Sequence, residues 1–132
     1  MSTKSVAEKL LIRPDSALWA SDAARLERIG PLPDGVRRVD GLADATTALV
    51  FADDAASARA ILFNQGDALK RPEVFWVAYP KANRSDINRD SLWPILAEFG
   101  MRPISQVAID DVWSALRFRA LKDGEPPFTG GQ

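Results

Sequence analysis

Two apolar runs decide the fold of this chain: Thr46-Thr-Ala-Leu-Val-Phe-Ala52 and Val74-Phe-Trp-Val-Ala-Tyr79. Neither run alternates between apolar and polar residues, so a strand formed by either one has to be covered on both faces. Strands of this kind lie in the middle of parallel sheets that carry helices on both sides. The two runs therefore predict the central strands of an α/β sheet.

Helices are expected on either side of these runs. The capping box Ser5-Val-Ala-Glu8 predicts a short helix over about residues 5–12 that packs Val6, Leu10 and Leu11. Further helices are expected wherever an Asp or Ser precedes an apolar pattern of helical spacing. These helices begin after Ser21 or Asp22, after Asp53 or Asp54, and after Asp90 or Ser91.

The last third of the chain has a different pattern. Two segments with period-two alternation flank Asp110-Asp111, and the second runs from Trp113 to Ala120. This arrangement predicts a β-hairpin. Residues 122–132 lack apolar periodicity and are rich in Gly and Pro, which is typical of a flexible tail. We therefore expect a single α/β domain over residues 1–121, followed by a flexible tail over 122–132.

The order of the elements limits the topology of the sheet. Two short strands, Ala17–Ala20 and Val36–Asp40, precede the central pair, and the hairpin follows it. Right-handed crossovers make the first four strands parallel, and the hairpin adds an antiparallel strand. By analogy with methyltransferase-like sheets, we predict a three-layer, Rossmann-like, mostly parallel six-stranded sheet in the order 2-1-3-4-6-5, with strand 6 antiparallel and helices on both faces. This order places the switch point, where such sheets bind ligands, between strands 1 and 3.

The composition excludes several kinds of chemistry. The 132 residues include neither His nor Cys, which removes imidazole bases, thiol nucleophiles, disulfides and zinc sites with nitrogen or sulfur ligands. The 17 basic and 18 acidic residues leave a net charge of −1, so we expect no nucleic-acid partner and no membrane partner. No segment is apolar enough to span a bilayer or to act as a signal peptide, and we predict a cytoplasmic protein.

Polar and aromatic residues are predicted to converge at the carboxyl edge of the sheet. Lys81 follows the fourth strand and therefore lies at this edge, and a long polar loop comes after it. The sixth strand is predicted to begin beside Lys81. The candidate residues for binding a ligand or partner are Lys81, Arg84, Asp86, Arg89, Asp111, Trp113 and Arg117. The basic members would hold a carboxylate or phosphate, and the tryptophan would stack on an aromatic group. In the alternative interpretation, ion pairs between the acidic and basic residues hold the loop in place, and the tryptophan packs in the core.

A second candidate site would bind S-adenosylmethionine or another adenosine ligand. Asp40 ends the second strand, where an acid can bind a ribose, and Asp53 ends the third. The turn after the first strand, Ala20-Ser-Asp-Ala-Ala24, contains no glycine, and it would set Asp22 against the pyrophosphate of a dinucleotide. An adenosine site here requires an open crevice between the ends of strands 1 and 3.

Four carboxylates are also predicted at this edge, and oxygen ligands suit Mg²⁺ or Ca²⁺. They form two pairs, Asp53-Asp54 and Asp110-Asp111. Strands 3 and 5 lie three positions apart in the predicted order, which is too far for the two pairs to share one ion. We expect helix caps and a hairpin turn rather than a metal site.

One face of the sixth strand is cationic and aromatic. Period two places Trp113, Ala115, Arg117 and Arg119 on this face. We expect the face to be exposed to solvent, with the arginine stems lying over apolar surface. A homodimer or a protein partner is the alternative occupant, because Arg and Trp are enriched at interface hot spots.

Three stretches carry a resemblance to a known family. They are Val77-Ala-Tyr-Pro-Lys81, the segment from Asp86 to Trp93, and the segment from Gly100 to Arg119 with its run Gln-Val-Ala-Ile-Asp-Asp-Val-Trp-Ser-Ala-Leu-Arg-Phe. Through them, and over about residues 5–121, the chain resembles a family of small bacterial conserved hypothetical proteins classed as a domain of unknown function. The resemblance implies a small α/β fold in a bacterial, cytoplasmic protein. It implies no activity, cofactor or catalytic residue.

These observations favour a binding domain without catalytic activity. We predict a protein that holds a partner or a small anionic ligand near Lys81 and Trp113, without a cofactor and without catalytic residues. The alternative is a degenerate methyltransferase-like domain that retains adenosine binding through Asp40 and Asp53. A third interpretation is a structural subunit or homodimer that buries the cationic face of the sixth strand across a two-fold axis.

Overall fold

A computed structural model describes residues 5–81 and 86–126, with Arg89 described by its backbone alone. The strands are β1 (Ala17–Ala20), β2 (Arg37–Arg38), β3 (Thr47–Phe51), β4 (Val74–Pro80), β5 (Met101–Ala108) and β6 (Trp113–Ala120). The α-helices are α1 (Val6–Lys9), α2 (Ala55–Gln65) and α3 (Arg89–Ala97), and short 3₁₀ helices span Ala23–Ile29, Leu42–Asp44 and Gly66–Lys70. Within these residues, no helix combines the length and the apolar character that crossing a membrane requires.

The strands form one sheet in the order β2-β1-β3-β4-β6-β5, which confirms the predicted order. The pairs β1/β2, β1/β3 and β3/β4 are parallel. Strand β6 runs antiparallel to both β4 and β5. The chain therefore has a Rossmann-like α/β fold, with helices on both faces of a mostly parallel sheet.

Strands β3 and β4 send alternate side chains into two separate cores. Ala48 and Val50 pack into the core beneath α2 and α3, whereas Leu49 packs into the core beneath α1 and the first 3₁₀ helix. The indole N–H of Trp76 donates to the carbonyl oxygen of Leu10 at 2.8 Å. This bond ties the segment after α1 to β4, near the start of the strand. Burial on both faces confirms the interpretation of the two apolar runs as central strands.

Helix α3 begins earlier than the sequence indicates. Its cap is Asn88, whose Oδ1 accepts hydrogen bonds from the N–H groups of Asp90 at 2.9 Å and Ser91 at 3.0 Å. Because one amide oxygen satisfies two backbone donors, Asn88 caps the helix in place of the predicted Asp90 or Ser91. Pro94 consequently lies inside the helix, where its ring removes a backbone donor.

Residues 122–126 are tied to the sheet, although the sequence predicts a flexible tail from Lys122 onward. Glu125 accepts two hydrogen bonds from Arg119, at 2.9 and 2.7 Å, and one from Arg102 at 2.8 Å. It also accepts one from the backbone N–H of Lys122 at 2.9 Å. Since Arg102 lies on β5 and Arg119 on β6, the carboxylate clamps the open end of the hairpin. Residues 127–132 of the predicted tail lie outside the described residues.

The turn that contains Gly35 leads to a first prediction. Gly35 has a φ of +78°, and a Cβ atom on it would lie 1.9 Å from Oδ1 of Asp15, which can rotate away, and 3.3 Å from the backbone Cα of Asp15, which cannot. Gly35→Ala should therefore lower the free energy of unfolding by more than the roughly 1–3 kcal/mol that left-handed backbone strain alone produces. Urea denaturation measures the loss. The control is Gly30→Ala, because Gly30 has a φ of +79° and no described atom within 4 Å of its Cβ position. Equal losses in the two variants would contradict the prediction.

The clamp at Glu125 predicts a pH dependence. The hydrogen bond from Arg119, with smaller effects from Lys122 and Arg102, holds the pKa of Glu125 well below its usual range. A carboxyl whose folded pKa is depressed stabilises the fold above its unfolded pKa of about 4.3, and this contribution is lost as the pH falls toward the folded value. Glu125→Gln should therefore lower the urea midpoint near neutral pH, and the difference from the parent should shrink as the solution is acidified.

The matched control for Glu125 is Glu98, which pairs with Arg59 at an exposed position. Exposed pairs contribute little to stability, so Glu98→Gln should change the urea midpoint only slightly at any pH. A loss in Glu125→Gln that stays constant on acidification would show that the carboxylate charge is not what holds the hairpin.

Candidate functional site

A cleft opens at the carboxyl edge of the sheet, at the ends of β1 and β2. It has a volume of about 610 Å³, which is in the range of roughly 300–1,000 Å³ found for small-molecule sites. Trp19 lines it from β1, Leu26 from the following 3₁₀ helix, and Arg38, Val39 and Asp40 from the end of β2. The surface of the cleft is therefore mostly polar and includes one acidic and one basic side chain, whereas Trp19 and Leu26 are largely buried behind it.

Asp40 occupies the place that the sequence predicts for it. The last bond between β1 and β2 runs from the N–H of Val39 to the carbonyl oxygen of Leu18 at 2.9 Å, and Asp40 follows directly. Its side chain is exposed, and no residue in the described part of the chain pairs with it. A free carboxylate in this position can accept two hydrogen bonds from vicinal hydroxyl groups.

The turn after β1 uses its polar groups within the fold. The N–H of Ser21 donates to the carbonyl oxygen of Leu49 at 3.0 Å, and Ser21 Oγ accepts from the N–H of Phe51 at 2.8 Å. Asp22 accepts from the N–H of Ala24 at 3.2 Å. A phosphate-binding turn needs free backbone N–H groups and tolerates no carboxylate beside them. This turn is therefore unsuited to a pyrophosphate.

Arg25 connects the turn after β1 to the end of β3. Its guanidinium pairs with Asp53 at 2.8 Å and with Asp22 at 3.3 Å, and it lies 4.9 Å from the centre of the Trp113 ring. Asp53, one of the two predicted adenosine-binding acids, is thus an ion-pair partner and does not line the cleft. Among the described residues, the side chain of Arg25 therefore spans the crevice predicted between strands 1 and 3, and a cleft lies one strand further along, between β1 and β2.

Sequence reasoning identified neither Arg25 nor the cross-strand role of Ser21. Arg25 lies three residues after Asp22, a spacing that predicts only the local ion pair. The contacts of Arg25 with Asp53 and Trp113, and of Ser21 with Phe51, join segments that are distant in the chain. No local pattern predicts such contacts.

The end of β4 and the start of β6 lie side by side, which confirms the predicted approach of Lys81 to the sixth strand. Pro80 pairs in register with Trp113, and the N–H of Lys81 donates to the carbonyl oxygen of Val112 at 2.6 Å. Asp111 is exposed in the hairpin turn. A role for Lys81 and Asp111 in binding a ligand stays a prediction.

The polar loop after β4 is described only in part. Asp86 Oδ1 accepts a hydrogen bond from the N–H of Ala55, the first residue of α2, at 2.8 Å. Asp86 therefore helps to join this loop to α2. Arg84 lies outside the described residues, and so does the side chain of Arg89.

Trp113 is a core residue. It is 5% exposed, its ring meets that of Phe51 edge to face at 5.7 Å, and Arg25 covers it. Ala115, on the same face of β6, is fully buried. The prediction of a solvent-exposed face is thus wrong at this end of β6, because the helix after β1 packs over it. Trp113 has no open face on which a ligand could stack.

Arg117 and Arg119 lie away from the carboxyl edge. Arg117 pairs in register with Trp76 near the start of β4, about 13 Å along β6 from Trp113. It lines a different cavity, beneath the segment that follows α1. Arg119 is bound by Glu125. The structure therefore separates these two arginines from the predicted cluster around Lys81.

Three of the four predicted carboxylates at the carboxyl edge act as caps or ion-pair partners, and Asp111 is exposed. Asp110 Oδ1 accepts from the N–H groups of Val112 and Trp113 at 2.8 and 2.7 Å, and Asp54 caps α2. Over residues 5–81 and 86–126, no three acidic side chains are grouped so that they could hold a metal ion.

Solved structures similar to this chain include Rossmann-fold proteins and methyltransferases. A protein in the NADB-Rossmann superfamily from Streptococcus agalactiae has a TM-score of 0.57 and 16% identity, over 98% of this chain and 72% of its own. A Streptococcus pneumoniae protein assigned as a tRNA (m1A22) methyltransferase, in complex with S-adenosyl-L-methionine, has a TM-score of 0.55 and 14% identity, over 95% of this chain and 73% of its own. The B. subtilis m1A22 tRNA methyltransferase TrmK has a TM-score of 0.52 and 15% identity, over 92% of this chain and 68% of its own. No family model and no curated protein matches the chain.

These similarities show the fold, and they contradict two predictions made from the sequence. The first is the non-enzymatic binding domain: similar structures over nearly the whole chain are methyltransferases, which favours the alternative of a methyltransferase-like domain. The second is the exclusion of nucleic acid, because two of these proteins are named for tRNA. That exclusion relied on net charge, which averages over the surface, whereas binding depends on the local distribution of charge.

The packing of Trp113 predicts the result of truncating it. Trp113→Ala should lower the free energy of unfolding by about 3–5 kcal/mol, because it removes a buried ring and its contact with Phe51. Arg25→Met, which removes only the charge above the ring and the partly exposed ion pairs, should cost about 1 kcal/mol or less. Urea denaturation of both variants measures the difference. A loss in Trp113→Ala no larger than that in Arg25→Met would contradict a core role.

Proposed function

We propose that the chain is a degenerate methyltransferase-like domain that binds S-adenosylmethionine, or another adenosine compound, in the cleft at the ends of β1 and β2. One observation carries the proposal: the open cleft of the carboxyl edge is lined by the free carboxylate of Asp40. In doubly wound sheets, ligands bind outside the carboxyl ends of the strands, and an acid after the second strand holds the ribose. The similar S. pneumoniae structure in complex with S-adenosyl-L-methionine supports the choice of ligand.

The walls of the cleft suit the two parts of a nucleoside. Val39 and the small exposed parts of Trp19 and Leu26 offer a limited apolar contact for a purine, and Asp40 offers two acceptor oxygens for the ribose hydroxyls. Asp53 has no part in this proposal, because it pairs with Arg25 on the far side of β1. Of the two acids predicted to bind adenosine, Asp40 and Asp53, the proposal assigns this role to Asp40 alone.

The turn after β1 narrows the class of ligand. The N–H groups of Ser21 and Ala24 are engaged within the fold, and Asp22 adds negative charge. A pyrophosphate would meet a carboxylate here and find these donors occupied. The proposal therefore favours a nucleoside that carries a sulfonium or thioether over a nicotinamide dinucleotide.

RNA is the methyl acceptor that we propose to test. The supporting observation is the fold shared with the B. subtilis and S. pneumoniae proteins named as tRNA methyltransferases. Transfer of a methyl group from a sulfonium to a ring nitrogen depends mainly on the alignment of the two reactants. The lack of His and Cys therefore does not argue against this chemistry. The setting that we propose is the bacterial cytoplasm, as the family resemblance implies.

Thermal denaturation with S-adenosylhomocysteine tests the proposal. A ligand at a hundredfold excess over its Kd stabilises the native state by about 2.7 kcal/mol, so this compound should raise the Tm, and NAD should not. Asp40→Ala should weaken binding about tenfold or more, because the hydrogen bonds from the ribose to a charged acceptor are lost. Asp67→Ala removes the same charge from an exposed position outside the cleft. It is the matched control and should leave the affinity unchanged.

The outcomes that would contradict the proposal are distinct. The absence of a Tm shift with S-adenosylmethionine, S-adenosylhomocysteine and adenosine would overturn adenosine binding. Unchanged affinity in Asp40→Ala would show that the ligand binds elsewhere. A larger Tm shift with NAD than with S-adenosylhomocysteine would contradict the conclusion that Asp22 disfavours a pyrophosphate. Incubation with methyl-labelled S-adenosylmethionine and bulk tRNA tests the acceptor, and incorporation of label would identify RNA.

A further inference from the structure

A second cavity lies toward the opposite edge of the sheet from the proposed adenosine cleft. It has a volume of about 440 Å³ and lies between the segment after α1 and the start of β4. Leu11, Ile12 and Pro14 form one wall, Val74 contributes from β4, and Arg117 reaches the cavity from β6. The proposed function makes no use of this cavity.

Arg117 has no counter-ion in the described part of the chain. Its Nε is buried and lacks a hydrogen-bond partner, and no described residue forms an ion pair with its guanidinium. An arginine side chain is always charged and has donors only. A buried donor without an acceptor is costly. Because this Nε is closed to solvent, a ligand in the cavity would bring its acceptor to the terminal nitrogens of the guanidinium, where it would pair a charge that no described residue neutralises.

The other charged groups around the cavity already have partners. Arg13 pairs with Glu73 at 2.8 Å in an exposed position. Glu8 accepts from the N–H of Ser5 at 3.0 Å as part of the capping box of α1. The negative charges of Glu8 and Glu73 disfavour a doubly charged anion such as phosphate, whereas a ligand with a single carboxylate meets less repulsion. Arg117 is thus the cation that remains available to a ligand.

Leu11 adds an apolar surface that the core does not use. The sequence predicts that it packs beneath the first helix, but it is 40% exposed and has a φ of +64°. This backbone conformation is unfavourable for a leucine. The next residue, Ile12, is buried. The turn after α1 therefore holds Leu11 beside the cavity at a conformational cost.

We propose that this cavity binds a small monocarboxylate with an apolar tail. The carboxylate lies on Arg117, because a guanidinium and a carboxylate form two parallel hydrogen bonds. The tail lies against Leu11, Ile12 and Pro14. The charge of Arg117 and the apolar wall together define the chemical class, since neither a hydrocarbon alone nor a bare ion satisfies both.

Titration of the full chain with hexanoate, followed by two-dimensional ¹H–¹⁵N NMR, tests the proposal. The indole N–H of Trp76 is a built-in probe, because it donates to the carbonyl oxygen of Leu10 next to the cavity wall. Hexanoate should shift this signal and the backbone signals of Leu11 and Ile12 along saturable curves. Hexanamide, which has a similar shape and no charge, should shift them little.

Variants at Arg117 assign the site. Arg117→Met keeps an apolar stem and should weaken hexanoate binding about tenfold or more. Arg117→Lys keeps the charge without the planar fork and should give an intermediate loss, which also covers the case in which Arg117→Met does not fold. Arg37→Met, at an exposed position on β2, is the control and should bind as the parent does.

Three results would overturn the proposal. One is the absence of saturable shifts in the parent protein. Another is equal binding of hexanoate and hexanamide, which would show that the carboxylate is not recognised. The third is a hexanoate affinity in Arg117→Met or Arg117→Lys that equals that of the parent, which would place the ligand away from Arg117.

Discussion

The structure depends on the burial of two strands on both of their faces. Every residue of β3 is buried, as is every residue of β4 up to Tyr79. Because apolar surface gains free energy in proportion to the area withdrawn from water, such strands need a layer of chain above and another below. Helices α2 and α3 form one layer, and α1 with the first 3₁₀ helix forms the other. Helix α1 is too short to be stable in isolation, and the bond from Trp76 to Leu10 helps to hold its segment on the sheet.

The described part of the carboxyl edge has a network of polar contacts at β1 and β3 and a cleft at β1 and β2. Ser21 and Arg25 tie the turn after β1 to β3 and β6. Strand β2 is only two residues long and leaves the side of β1 uncovered beyond it. The cleft that results contains Asp40, which no described residue neutralises. These two parts of the edge thus have different chemistry.

One face of β6 has different surroundings at its two ends. Period two correctly sorted Trp113, Ala115 and Arg117 onto one face, because side-chain alternation is a property of the extended backbone. Which face the protein covers depends on elements far away in the chain. The helix after β1 buries Trp113, whereas the segment after α1 leaves a cavity beside Arg117. One strand face therefore contributes to the core at one end and to a candidate binding site at the other.

The sequence by itself determined the architecture, and the tertiary structure decided the sites. Strand identity and the terminal hairpin follow from local patterns of apolar residues, and the parallel direction of the first four strands follows from the handedness of crossovers. The strand order is predicted by analogy with methyltransferase-like sheets, and the structure confirms it. The position of Asp40 at the end of β2 also follows from a local pattern. The ion pair between Arg25 and Asp53, the clamp at Glu125 and the unpaired guanidinium of Arg117 do not. Each depends on whether a charged side chain meets a partner from a distant segment, and that is settled only when the helical layers pack on the sheet.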